Sequence, residues 1–255
     1  LHINQWRKGP GIEPAMITLT VINNLLYSQS KKVNIENAAI FAASSDMMIC
    51  LQRVSFHPYS PISSLAQSIL IMIARFCDIE KTVENPQRFM ENVCSLFMLS
   101  DPACDEEQII IALNFALLPS NCTMMMEQLG ADIITNRISQ LLSYPSMYLR
   151  DFLLEVLYAL LSTTPEIKES VCKNEQLLRK ITALCIPQFE PTEHKNTIPF
   201  SPCQKACAFI VELLDDPRVL QFVAFFKVQF ATAALKWKSA WLTELAAKIS
   251  SASTK

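Results

Sequence analysis

Residues 148–185 read YLRDFLLEVLYALLSTTPEIKESVCKNEQLLRKITALC, and the periodicity of this stretch decides the fold. Phe152, Leu153, Val156, Leu157, Leu160 and Leu161 recur at helical spacing and predict a long helix with a broad apolar face. Ser162, Thr163 and Thr164 then precede Pro165, a run that caps and opens a second helix. That second helix, to about Lys173, is short and more charged. A third, from about Glu175 to Cys185, brings Leu177, Leu178, Ile181, Leu184 and Cys185 to one side. Three helices of this kind cannot cover their own apolar face, so neighbouring units must share a core.

The flanking sequence reads as variations on this unit. A long helix from near Pro14 carries Met16, Leu19, Ile22, Leu25 and Leu26. Asn34 to Ala43 follows as a second helix, and Asp46 is expected to cap a third through Met47, Cys50, Leu51 and Val54. A second unit starts after His57-Pro58-Tyr59-Ser60-Pro61, with a long helix Ile62 to Cys77 and another opened by Pro86. In the third unit, Asp105-Glu106-Glu107 suits a helix N-terminus, where the macrodipole favours negative charge. There Thr123 to Leu129 is expected as a short helix, Gly130 as its C-cap and Ile133 to Leu142 as the next helix. The last unit runs from Pro202 to Leu214 and then as one buried helix from Pro217 to about Leu235. A closing amphipathic helix is expected to carry Trp237, Trp241, Leu242, Leu245 and Ile249.

The ends of the first helices overlay at Leu25, Phe76, Leu117, Leu160 and Leu213, with offsets of 51, 41, 43 and 53 residues. Armadillo and HEAT units run about 40 to 47 residues, so two offsets fit and two require insertions. The pattern predicts an all-α fold, an armadillo/HEAT-like right-handed superhelical solenoid of about five helical units. The competing reading is a compact helical domain without repeats. The expected organisation is an irregular N-terminal segment at 1–11, the repeat domain at 12–249 with a loop insertion near 187–202, and a flexible tail at 250–255.

Composition narrows the function classes. Only 3 of the 255 residues are Gly, and two of these lie in the first eleven, so phosphate-cradling turns of parallel-sheet enzymes are nearly excluded. A net charge of −2 provides no global attraction to nucleic acid or to an acidic membrane. The 9 cysteines are odd in number and scattered through apolar helical patterns, which reads as intracellular free thiols. No signal peptide is visible, and a start at Leu1 reads as an excerpt from a longer chain.

Few residues offer chemistry. His194, Cys203 and Cys207 lie close in sequence, but zinc takes four ligands and a fourth would have to come from Cys185 or elsewhere. The competing reading is a buried Cys207 and an exposed loop His194. His57 before Pro58 reads as a turn residue. Asn121-Cys122-Thr123 matches a glycosylation acceptor pattern of the kind that arises by chance. Met124-Met125-Met126 reads either as core or as an adaptable binding surface. Trp237 and Trp241, at i and i+4, either anchor a partner or close the last exposed face. No catalytic residue, cofactor or metal ligand is expected.

Leu154 to Cys185, LEVLYALLSTTPEIKESVCKNEQLLRKITALC, resembles the armadillo-like region of the ARID-containing subunit of PBAF/RSC-type SWI/SNF chromatin remodelling complexes. The LEVLYAL segment at Leu154 to Leu160 is its most specific part. The preceding LGADIITNRISQLLSYPSMYLRDF can be laid along that family with few gaps. The stretch ITLTVINNLLYSQSKKVNIENAAIFAASSDMMICL is similar to an earlier repeat of the same family. The resemblance covers roughly Ile12 to Cys185, and the family's ARID module, winged-helix-like module and zinc fingers have no counterpart in this sequence. It implies a nuclear, non-catalytic scaffold that packs against other remodeller subunits and holds a helical segment of the ATPase subunit. No direct nucleic-acid binding by this region, no membrane association and no cofactor are implied. A generic armadillo adaptor that binds peptides in transport or signalling shares the same residue pattern. In armadillo arrays the third helices line the groove, which directs attention to the polar faces of Asp46–Val54, Ile133–Leu142 and Glu175–Cys185. Arg137, Gln140, Arg179 and Lys180 are the expected exposed members.

Overall fold

The structure, a computed structural model, describes residues 12–27, 33–187 and 200–252, with the side chains of residues 200 and 201 left out. The segment at 1–11, most of the Pro187 to Pro202 loop with His194, and residues 253–255 lie outside the described residues. The protein is all-α: among the described residues there is no strand, only an isolated antiparallel bridge between Tyr27 and Val33. The chain divides into two compact bodies, Leu1–Gln128 and Leu129–Lys255.

The N-terminal body contains α1 (Ile12–Leu26), α2 (Ile35–Ala42), α3 (Ser45–Val54), α4 (Ser60–Ile73, continued by a 3-10 turn Ala74–Phe76), α5 (Ile79–Thr82), α6 (Pro86–Phe97), α7 (Glu106–Phe115) and most of α8 (Pro119–Leu129). Capping explains where these helices begin. The side chains of Asn34, Ser44 and Asn85 accept hydrogen bonds from the backbone N–H three residues on, satisfying donors that the helix itself cannot. The cap of α3 is thus Ser44 and not Asp46, which lies in the first turn.

Packing in this body follows a simple order: α1 lies against α4, and α4 against α7. Helix α7 is buried on every side from Ile109 to Phe115, as an apolar helix at the centre of a stack must be. Phe115 meets Phe89 of α6 edge to face at 5.5 Å. The polar centre of the body is Asn121, which is fully buried. Its amide nitrogen donates to the carbonyls of Cys77 at 2.7 Å and Phe115 at 2.9 Å, and its Oδ1 accepts from the Ile79 N–H at 3.0 Å. One side chain therefore ties the start of α8 to the end of α7 and to the start of α5.

The C-terminal body contains α9 (Ala131–Leu141), α10 (Met147–Thr163), α11 (Pro165–Lys173), α12 (Glu175–Leu184), α13 (Phe200–Glu212), α14 (Pro217–Ala224), α15 (Lys227–Trp237) and α16 (Ala240–Ala252). The central triplet α10–α11–α12 lies within a residue or two of its predicted bounds. Leu149, Leu153, Val156, Leu157 and Leu160 form the buried face of α10, while Leu161 is only half-buried. Truncating one of the buried leucines to Ala costs about 2–5 kcal/mol in a core of this density. Ser146 and Asn174 cap α10 and α12, and Pro165 and Pro217 open α11 and α14.

In this body α10 packs on α13, α13 on α16, α9 on α12 and α11 on α14. Helices three apart thus pack on each other in these four pairs, and the sequential helices α15 and α16 also lie against each other. Boundaries in this body also differ from the sequence reading. The expected single helix from Pro217 to Leu235 is two helices, α14 and α15, meeting at 63° around Phe225 and Phe226. α16 continues through Ser250 and Ser251 to Ala252, where a flexible tail was expected. Among the described residues no single helix is long and apolar enough to cross a membrane. Two bent pairs reach that length and composition together, α7 with α8 and α14 with α15.

Candidate interaction surface

The faces proposed from the sequence lie on α3, α9 and α12, and those of α9 and α12 are largely an internal seam of the C-terminal body. Ser170 of α11 donates to Asp132 Oδ1 at 2.6 Å and shares a 2.8 Å hydrogen bond with Thr135. Asn174 donates to Asn136 at 2.9 Å. Lys180 is half-buried, and its ammonium donates to the Ser139 carbonyl. That carbonyl is among the last four of α9, which have no partner within the helix and carry its negative pole.

Two expected groove residues are corrected by this packing. Arg137 is 8% exposed and hydrogen-bonds Gln140 across one turn of α9 at 3.3 Å. It stands three residues after Ile134 and one before Ile138, beside the core stripe, so its stem is covered. Burial holds its pKa below the usual arginine value. Lys180 serves the helix end just described rather than an open groove. Gln140 and Arg179 are exposed, and Arg179 pairs with Glu175 one turn back at 2.9 Å.

The tryptophan pair is also corrected. Lys238 takes a left-handed conformation, φ 47°, and ends α15 at Trp237, so Trp241 lies in a different helix. The two rings do not form an i, i+4 stripe on one helix. Both are half-buried.

Several other residues take plain structural roles. His57 Nδ1 accepts from the Tyr59 N–H at 3.1 Å, as a turn residue does. Met124 and Met125 are core. Gly130 is not a simple C-cap. With φ 80° and ψ 155° it turns the chain from α8 into α9, a conformation nearly confined to glycine. Cys203 and Cys207 are buried, and Cys207 Sγ lies 3.8 Å from the Cys185 carbonyl. Burial, reinforced by Cys207, pushes the Cys185 thiol well up. Among the described residues no three His, Cys, Asp or Glu side chains gather as a metal site.

Between α11 and α14 the surface is an ionic lattice. Arg218 pairs with Glu169 at 2.8 Å and with Asp216 at 2.6 Å, Lys168 pairs with Asp215 at 2.7 Å, and Lys173 with Glu169 at 3.0 Å. The hydrogen bond from Arg218, with Lys173 beside it, lowers the Glu169 carboxyl to about 2. The same arginine holds Asp216 well below the usual carboxylate range. Acidic and basic groups satisfy one another here.

Two further exposed faces are apolar, and the sequence reading missed them. On α1 of the N-terminal body, Leu19, Ile22 and Leu26 face the core while Ile17, Val21 and Leu25 are exposed. On α15 of the C-terminal body, Phe230, Ala233 and Ala234 are buried while Val228 and Leu235 are 75% and 82% exposed. Phe225, at the bend before α15, is 79% exposed. The available signal was an apolar run too continuous for one face of a helix. The fold therefore defines an all-helical protein in which individual helices are apolar on two sides. Set against known proteins, the chain matches no protein-family model and no curated protein.

Proposed function

We propose that this chain is a non-catalytic protein-interaction scaffold whose helices hold helical segments of partner proteins. The observation that carries this reading is the second apolar face of α1 and of α15, on helices already packed on their other side. Exposed apolar surface of this kind marks sites of association. The finer reading is an armadillo-type solenoid in the nucleus that assembles the base of a PBAF-type chromatin remodelling complex. In that role it would hold helical segments of the ATPase and core scaffold subunits. Its support is the resemblance of Leu154 to Cys185, together with the packing of α10 on α13, α13 on α16, α9 on α12 and α11 on α14. The same architecture serves a peptide-binding adaptor in transport or signalling, and partner identity separates the two.

The test is affinity purification of the full-length protein from nuclear extract, with cross-linking mass spectrometry. Recovery of remodeller core subunits, cross-linked to residues 12–249, is the expected result. Recovery of unrelated partners without remodeller subunits would overturn the chromatin assignment and leave the adaptor. A protein that co-purifies with nothing would overturn the scaffold reading itself.

A further inference from the structure

Three buried cysteines gather where α13 packs against the end of α12. Cys185 caps the C-terminus of α12, and Cys203 and Cys207 stand one turn apart on α13. Cys185 Sγ donates to the Ile181 carbonyl at 3.4 Å, and Cys207 Sγ donates to the Cys185 carbonyl at 3.8 Å. The Cys185 and Cys207 thiols are also within hydrogen-bonding reach of each other. Geometry decides which two sulfurs can join. A disulfide needs Cβ atoms about 3.5–4.5 Å apart. Residues at i and i+4 of one helix hold theirs about 5–6 Å apart, so Cys203 and Cys207 join only if α13 is distorted. Cys185 and Cys207 lie on different helices and carry no such constraint. Thiol donors are weak, so giving up both S–H groups sacrifices little hydrogen bonding.

We infer that Cys185 and Cys207 form a redox latch: a peroxide joins their sulfurs in a disulfide that fastens α13 to the end of α12, and a thiol reductant releases it. The inference is independent of what the scaffold binds. One cysteine, as thiolate, attacks a peroxide oxygen; the O–O bond breaks, leaving a sulfenic acid and, with hydrogen peroxide, one water once the thiol proton is taken up. The second sulfur then attacks the sulfenic sulfur, the S–O bond breaks, and its proton leaves with that oxygen as a second water. Two thiols lose two hydrogens and the peroxide becomes two waters. Burial sets the threshold. A peroxide reaches this pair only when the α12–α13 seam opens, so the exposed Cys50 and Cys104 react first and the latch closes under sustained oxidation. Its effect extends beyond one seam, because α13 also packs on α10 and on α16. The bond spans 22 residues of chain and removes that much freedom from the unfolded state.

The experiment treats the intact protein, carrying Cys50→Ser and Cys104→Ser to remove the exposed thiols, with excess hydrogen peroxide at neutral pH. Iodoacetamide in denaturant then blocks the remaining thiols, and peptide mass spectrometry maps the bonds. The expected product is a Cys185 peptide joined to a Cys207 peptide, lighter by two hydrogens than the reduced pair and separated again by dithiothreitol. The oxidised protein should unfold at a Tm higher than its own reduced form by roughly 5 °C or more. Cys207→Ala should abolish that rise, and so should Cys185→Ala. Each variant is compared with its own reduced form, so a change in folding stability from the substitution drops out. Peroxide added in urea should scatter the bonds among the remaining cysteines. Recovery of Cys185 and Cys207 both alkylated, either one as sulfinic or sulfonic acid, or either one joined to Cys203 overturns the inference. So does a Cys185–Cys207 bond that forms equally in urea, or one that leaves the Tm unchanged.

Discussion

Replacing Asn121 by Ala should destabilise the N-terminal body more than any other single polar substitution in it. Asn121 lies at the start of α8, is fully buried, and makes three hydrogen bonds to the backbone of three separate segments. The alanine variant leaves the Ile79 N–H and the Cys77 and Phe115 carbonyls without these partners. A buried polar group stranded in this way costs about 1–3 kcal/mol. The contributions share one cavity and do not add fully, so a loss of about 3–5 kcal/mol is expected, a large share of the whole stability of a typical domain. Urea unfolding followed by circular dichroism measures the total. The Ile79 amide supplies the local readout, since a loss of about 3 kcal/mol should speed its hydrogen exchange roughly a hundredfold. The variant Asn121→Asp keeps an acceptor for Ile79 but loses both donations, and turns a carboxylate toward two carbonyls. It should be at least as damaging as alanine near neutral pH and recover in part in acid. A loss below about 1 kcal/mol for the alanine variant, with Ile79 exchange unchanged, would refute the reasoning. The same geometry bears on the Asn121-Cys122-Thr123 pattern: a glycan on this nitrogen would displace the bonds to Cys77 and Phe115, so the folded protein should carry none there.

Three further outcomes are expected. Lys238, left-handed at the end of α15, should be better served by glycine, and Lys238→Gly should stabilise by about 0.5–1 kcal/mol, read as a rise in Tm of roughly 1–3 °C. Glu169 is depressed to about 2 from an ordinary 4.5, so its contribution to the α11–α14 contact is complete above about 4.5 and is lost as pH falls through about 2. Carbon-detected NMR should find that low midpoint, rising toward 4.5 in Arg218→Met and, since the pair is exposed, in high salt; an ordinary midpoint in the unmodified protein would refute it. Among the cysteines, Cys50 and Cys104 are exposed, whereas burial pushes the Cys77 and Cys172 thiols up to about 12. Iodoacetamide should modify the exposed pair in the native protein, and Asp101→Asn should quicken Cys104, whose thiol is raised by the hydrogen bond and charge of Asp101.

What could be read from the chain alone was local. The apolar period of Phe152 to Leu160 and the prolines at 86, 165 and 217 each act within a turn of their own helix. Helix identity and bounds in the central triplet therefore followed from the sequence. The errors have physical causes of the same scale. Asp46 and Ser44 are both good capping residues, and only the backbone decides which of them precedes the first turn; it is Ser44, which accepts from the Met47 N–H. Lys238 shows no left-handed preference in its type, so the break between Trp237 and Trp241 left no mark that pattern reading detects.

The surface was decided by tertiary structure. An arginine three residues after an isoleucine looks the same whether its stem lies open or beneath a neighbouring helix. Packing of α9 against α11 and α12 buried Arg137 and engaged Lys180 at a helix end. Likewise an apolar helix announces how much surface it must hide, but not how many neighbours arrive to hide it. For α7 the neighbours cover every side; for α15 they cover one, and Val228 and Leu235 remain in water. Sequence by itself determined that this protein is built of helices, because helix periodicity and capping are short-range. Which residues face outward was settled by long-range packing, because burial is a property of the neighbours and not of the side chain.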